Sequence, residues 1–378
     1  MRPWRQLAAA AVALGVLLPG FACAGPAASG EMVRWIAAMK PGEWLELTAN
    51  AAGTISGTAL SRVFPSQEGH PAWGYIGPRG VTDAWGGGAF DPKREMLIVA
   101  GGGHADYGGN EVYGFSLRTL EWERLTEPSR YDSGWTTVDG TPVSRHTYDG
   151  MEYVPTLDRV AMFGGSLWRD GRPRDPHLWL FDADRRSWTR RAAAPATHFA
   201  ATAFDPQGNR LYVRLPSRLM SYDPAQDMWR TVATEPWALG GAMAIDPERR
   251  RLVTLAGGRT WFYELGAGRP SGRQQARTTG DTGIEKHELA GLAYRPATGR
   301  IHAWPGGRAV WSLDAGAMRW RRHDPSGAAP PTERRLVDGR MHAVPAGVYG
   351  KWRHVPRLDV FVAVVSADSN VWLWRPAD

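Results

Sequence analysis

An all-β propeller is the fold that the sequence predicts, and three observations predict it. A turn written apolar-x-Pro recurs six times along the 378 residues, each copy followed about four residues later by an apolar run. Glycine-rich stops come next, at Gly101–Gly103, Gly164-Gly165, Gly257-Gly258 and Gly306-Gly307. Several copies then close on a tryptophan, among them Trp122, Trp188, Trp229 and Trp320. Short strands separated by regular turn signals, with one unit repeated, are the pattern of blades set around an axis.

The turns are Phe90-Asp91-Pro92, Tyr153-Val154-Pro155, Phe204-Asp205-Pro206, Ile245-Asp246-Pro247, Tyr294-Arg295-Pro296 and His354-Val355-Pro356, at intervals of 41 to 63 residues. Proline suits a connection between two strands, where no ladder donor is needed. Four copies carry an arginine four residues after the proline: Arg159, Arg210, Arg251 and Arg300. Six blades are countable, and residues 50–85 are long enough for a seventh. After Val371–Trp374 the last blade lacks an outer strand. The segment Glu43–Leu47, with Trp44, is expected to supply it and so close the ring, removing an open sheet edge. Helical spacing is confined to Met32–Met39.

The first 24 residues are expected to be a secretory signal peptide. Arg2 and Arg5 precede the apolar run Leu7–Leu18, and Ala22-Cys23-Ala24 is a small-x-small cleavage site. A lipid anchor at Cys23 is the alternative. Residues 25–378 are then one propeller domain, secreted or periplasmic, with no membrane span and expected to be a monomer. Cys23 is the only cysteine, so cleavage after Ala24 excludes disulfides, thiolate catalysis and cysteine metal sites. Loss of Arg2 and Arg5 lowers the formal net charge from +7 to +5. Mild basicity on an exported chain fits an anionic ligand better than a nucleic acid.

Propeller geometry places the loop entering a blade and the loop between its second and third strands on one face. Counting nine residues back from each turn proline gives Asp83, His146, Thr197, Ala238, His287 and Gly347, with His198 one place later. Counting twelve forward gives His104, Leu167, Arg218, Arg259, Arg308 and Asp368. One face is thus expected to gather His104, His146, His198 and His287 with Arg218, Arg259 and Arg308. A loop from Trp168 to His177 adds Arg169, Arg172 and Arg174. Any one arginine after a Gly-Gly pair could simply cap a strand end, and any one histidine could be solvated. Guanidinium groups bind carboxylate and sulfate in pairs of hydrogen bonds, and histidine moves protons at neutral pH. With Trp85, Trp168 and Trp237 to stack on sugar rings, the face suits an acidic polysaccharide and its β-elimination at a uronic acid.

The paired glycines, the following strand and the Tyr/Trp and Trp positions resemble the kelch repeat of the galactose oxidase-like propellers, over about Gly88 to Pro376. On that resemblance the glycines and Trp122 of the first unit are framework. The stretch Gly102-Gly103-His104-Ala105-Asp106, with the later His146, is similar to the histidine-bearing loops of the propeller-type ulvan lyases. That resemblance implies His104 and His146 as acid/base groups and Arg218 as the group that neutralises the uronate carboxylate. Where the family pattern sets a tyrosine after His146, this chain has His198-Phe199, and Tyr107 and Tyr148 are the nearest substitutes. A copper-radical oxidase needs a cysteine crosslinked to tyrosine, which the mature chain lacks. A sialidase needs a Ser-x-Asp-x-Gly-x-Thr-Trp box, of which Tyr131–Trp135 is only a distant echo. His104, His146 and His287 could form a zinc site, yet no carboxylate to orient them is assignable, so no metal and no cofactor are expected. A propeller that binds an anionic glycan or a protein partner without catalysis is the alternative.

Overall fold

The computed structural model describes residues 26–377 apart from 67–72, 132–133, 170, 173–174, 235–240, 267–271, 332–334, 337–342 and 345. The expected signal peptide, Arg174, Trp237 and Ala238 lie outside the described residues.

Six antiparallel blades form the ring. Blade one consists of Gly88–Asp91, Met96–Ala100, Val112–Ser116 and Glu121–Arg124. Blades two to five repeat this order from Met151, Ala201, Ala242 and Gly291. Blade five carries a fifth strand, Thr279–Gly280, pairing in parallel with Arg319–His323. Blade six takes Trp352–Val355, Val360–Ala363 and Trp372–Trp374 from the C-terminal end and its outer strand, Trp44–Glu46, from the N-terminal end. The register sets Trp44 opposite Trp374 and Glu46 opposite Trp372. The ring therefore closes between its two ends, as the missing outer strand predicts.

Aromatic packing secures that closure. The Trp44 ring lies 5.4 Å from Trp304, 5.9 Å from Trp352 and 6.4 Å from Trp374. Its indole N–H donates to the Arg308 carbonyl at 2.9 Å, so the closing strand also touches blade five. Burial of such rings contributes about 1.5–3 kcal/mol each. The described part of residues 50–85 forms no seventh blade. It holds the short 3-10 helices Leu60–Val63 and Gly77–Arg79 and a helical turn, Gly80–Asp83. The N-terminal helix spans Pro26–Ala38, so it starts ahead of the predicted Met32.

The repeated turn has a repeated physical basis. Three residues after each proline the backbone is left-handed: Glu95, Asp158, Asn209, Arg250 and Asp359 have φ between +47° and +54°, and Gly299 has +62°. Aspartates within the turn accept from backbone N–H groups two residues on, as Asp91 does from Lys93 at 2.9 Å and Asp205 from Gln207 at 3.1 Å. The arginines one place further pair across the blade with an acid ending the third strand. Arg159–Asp182 is 2.7 Å, Arg210–Asp223 2.9 Å and Arg251–Glu264 2.8 Å. The proline end of the ring is thus a framework of turns and ion pairs. The connections that can vary lie at the other end.

Candidate functional site

At that other end, two of the loops joining a blade's second and third strands are longer than the rest. In blade one the chain between Ala100 and Val112 carries Gly101–Gly103, His104 and Asp106. In blade two the chain between Met162 and His177 carries Ser166, Arg169 and Gly171. The two loops are stapled together. His104 N–H donates to the Ser166 carbonyl at 3.3 Å, and the His104 carbonyl accepts from Arg169 N–H at 2.6 Å. Ser144 adds a third tie, since its hydroxyl accepts from Gly103 N–H at 2.9 Å.

The glycines before His104 have a role beyond framework. Gly103 has φ +58°, and a Cβ there would collide with the His146 backbone nitrogen. Only glycine lets this loop press against the strand that presents His146. Gly171, with φ +64°, does the same from the opposite loop: a Cβ would lie 2.5 Å from the His104 ring.

These contacts bring three titratable rings around one space. His104 is exposed, and its ring centroid is 5.9 Å from that of buried His146, nearly perpendicular. The Tyr148 ring is also 5.9 Å from His146, edge-on. Nε2 of His146 shares a 2.8 Å hydrogen bond with Oδ2 of Asp106, which is itself buried. Asp106 is fixed in turn, because its carbonyl accepts from the N–H groups of Ile76 and Gly77. The Tyr148 hydroxyl is 3.0 Å from the Ser166 hydroxyl, which is 3.1 Å from Nδ1 of His198. Trp85 covers His146 at 5.2 Å and Phe199 covers Tyr148 at 4.5 Å. Burial raises the Tyr148 phenol above its ordinary range, with the Ser166 hydrogen bond opposing. The group is a neutral proton donor at neutral pH.

Backbone strain concentrates here as well. Among the described residues, the non-glycine residues with left-handed φ outside the hairpin turns are Trp85, His104, Tyr148, Arg169 and Tyr349, at +42° to +74°. All five border this space: the Tyr349 ring meets Tyr148 at 6.0 Å. Such conformations cost about 1–3 kcal/mol each and persist where surrounding structure imposes them. Behind Tyr148, toward the ring axis, burial pushes the Asp149 carboxyl up to about 7 and holds the Arg214 guanidinium down at about 10. Under Trp85, the Lys351 ammonium donates to the carbonyls of Gly86 and Gly347. Burial lowers its pKa to about 7, with Asp83 opposing.

The residues singled out from the sequence fall into two groups. His104, His146, Tyr148 and His198 come together. Arg218, Arg259, Arg308 and His287 stand on blades three to five. Arg308 donates to the carbonyls of Pro325 and Gly327, so it caps its own loop. Arg218 lies at a two-residue turn, with its Nε 3.4 Å from the Ser217 hydroxyl. Two expectations need correction. Tyr107 is fully buried and its hydroxyl donates to Glu111 at 2.5 Å, so it belongs to the core. Trp168 is also buried, packed with Val143 and Tyr131, and its ring is closed to a sugar. Among the described residues no three His, Cys, Asp or Glu groups are placed to hold a metal ion, so the histidine zinc site has no geometry here.

Sequence spacing missed Ser166 and Tyr349. Ser166 had one usable signal: it follows Gly164-Gly165 as His104 follows its glycines. Tyr349 had none, because it enters through a one-turn helix, Tyr349–Lys351, rather than at an indexed position.

No protein-family model matches the chain, and no curated protein matches it. Solved structures do. A fungal alcohol oxidase of the AA5 family, described in complex with copper, aligns over 81% of this chain and 76% of its own at 10% identity and a TM-score of 0.46. An auxiliary nutrient binding protein of Bacteroides thetaiotaomicron aligns over 76% and 68%, at 10% identity and a TM-score of 0.46. A Bacteroides thetaiotaomicron protein of unknown function aligns over 88% and 76%, at 9% identity and a TM-score of 0.46. At such identities the likeness concerns fold alone.

Proposed function

We propose that the chain is an exported, kelch-type propeller lyase that cleaves an acidic polysaccharide by β-elimination at a uronic acid. The carrying observation is the arrangement of His104, His146 and Tyr148 at 5.9 Å ring separations, with His146 fixed by Asp106. In this reading a uronate lies over the space between the three rings. His104, the exposed ring, removes the C5 proton, with His146 holding its edge. Tyr148 gives its proton to the leaving oxygen as the C4–O bond breaks and the C4–C5 double bond forms. The proton on His104 returns through solvent, and Ser166 and His198 reload the phenol. The proton count balances without a co-reactant.

A carboxylate neutraliser is also needed, because it lowers the barrier to losing the C5 proton. Arg169 suits this better than Arg218: it is exposed, and its backbone is bonded to His104 itself.

The test is to incubate the purified protein with polygalacturonate, alginate, hyaluronan, chondroitin sulfate and ulvan and follow the ultraviolet absorbance of unsaturated uronate. Product that disappears in His104→Ala and Tyr148→Phe, both still folded, supports the reading. Polymer binding with no product would leave the non-catalytic glycan-binding propeller in its place.

A further inference from the structure

Among the described residues the exposed large hydrophobic side chains are five, and two of them are aromatic: Tyr75 at 50% and Trp135 at 37% exposure. Both are linked to the His104 loop, Tyr75 directly and Trp135 through blade two. Tyr75 N–H donates to the Ala105 carbonyl at 2.9 Å, on a segment held where Gly74 abuts the Asp106 carbonyl. The second link runs through blade two. Arg169, bonded to His104, sets its guanidinium 5.9 Å from the Tyr131 ring. Tyr131 pairs with Thr137 in a small loop that carries Trp135. The Trp135 ring rests on His177 at 5.8 Å. His177 is held by Asp175, and Asp175 forms a buried 2.8 Å ion pair with Arg145, the neighbour of His146. An exposed aromatic side chain offers a flat apolar surface with a polar edge that a ligand can cover.

The geometry points to an extended polymer-binding groove in which Tyr75 and Trp135 each stack a sugar ring, one on either side of the cleavage point, with Arg169 between Trp135 and His104. This rests on the lyase reading and sharpens it. A chain held on both flanks is cut internally, so the substrate is a long acidic polysaccharide rather than a terminal disaccharide unit. Apolar ring faces on sugars fit flat aromatic surfaces, and the anionic groups fit the exposed Arg169 and Arg172 beside them.

Tyr75→Ala and Trp135→Ala decide the matter, with Trp135→Phe as the conservative variant and the thermal midpoint as the check on folding. Affinity electrophoresis through gels containing each polymer reads binding, and product sizing reads the cut position. Each alanine variant is expected to weaken polymer binding about 5- to 10-fold, as loss of an aromatic anchor does, with Trp135→Phe near wild type. If wild type binds polymer without product and the variants lose that binding, the groove stands and elimination falls. If wild type cleaves internally and the variants bind and cut as it does, the groove is overturned and elimination stands. No binding and no product in wild type overturns both.

Discussion

Blades one and two, set beside blades three and four, show what the framework requires and what it leaves free. In blades three and four the second and third strands are joined by two residues, Pro216-Ser217 and Gly257-Gly258. In blades one and two the same connection carries a loop, and those loops interlock through His104, Ser166 and Arg169. Among the described residues, every strained non-glycine residue outside the hairpins borders the space around His146 and Tyr148. The left-handed turn at the proline end is the same in both halves, and blades two to four share the ion pair across the blade. Stability is supplied by what repeats, whereas the chemistry is built where the repeat is broken.

The comparison can be broken most sharply at the histidine. His104→Ala is expected to lower elimination about 10²- to 10⁴-fold, the usual contribution of a positioned acid/base group. Arg210→Ala, at the proline end of blade three, is expected to leave the rate within about twofold. Initial rates on one acidic polymer measure both. Stability offers the next contrast. The Arg145–Asp175 pair is about 99% shielded on both sides, so Arg145→Ala leaves a buried carboxylate without its cation and is expected to cost about 3–5 kcal/mol. The half-exposed Arg210–Asp223 pair should cost less than about 1 kcal/mol. Denaturant unfolding of the two variants compares them directly.

Glycine substitutions sharpen the same contrast at smaller scale. Gly171→Ala drives a methyl into the His104 ring, and a displaced acid/base group is expected to cost about 10- to 100-fold in kcat. Gly258→Ala has an equally left-handed backbone but open space around it. It is expected to lose about 1–2 kcal/mol of stability and no activity.

A pH effect is the smallest. Burial lowers Lys351 from 10.5 to about 7, so between those values the unfolded chain binds more protons than the folded one. Stability from this group therefore rises with pH across that window. Burial raises Asp149 from 3.8 to about 7, so there the folded chain binds more protons and stability falls as pH climbs. Together they predict a dip near pH 7 in thermal midpoints. Lys351→Met should remove its alkaline side and Asp149→Asn its acid side.

Much of the fold was legible because it repeats. Six proline turns, the arginines after them and the unpaired last blade all follow from offsets, and Trp44 marks the closing strand. The site was legible only in part. Counting from the prolines found His104 and His146, since both sit at indexed loop positions. It also gathered Arg218, Arg259 and Arg308, which stand on blades three to five, with Arg308 capping its own loop. Burial decided the remaining cases. Tyr107 lies three residues from His104, yet its side chain turns inward to Glu111, while Tyr148 is turned to the site by a left-handed backbone at φ +48°. Sequence spacing carries no signal for either direction.

The most direct test is the appearance of unsaturated uronate when the protein meets an acidic polysaccharide. The account predicts product from at least one polymer of the panel, lost in Tyr148→Phe and His104→Ala while both variants keep the wild-type thermal midpoint. Product that persists undiminished in both variants, or no product from any polymer that the protein binds, would contradict it.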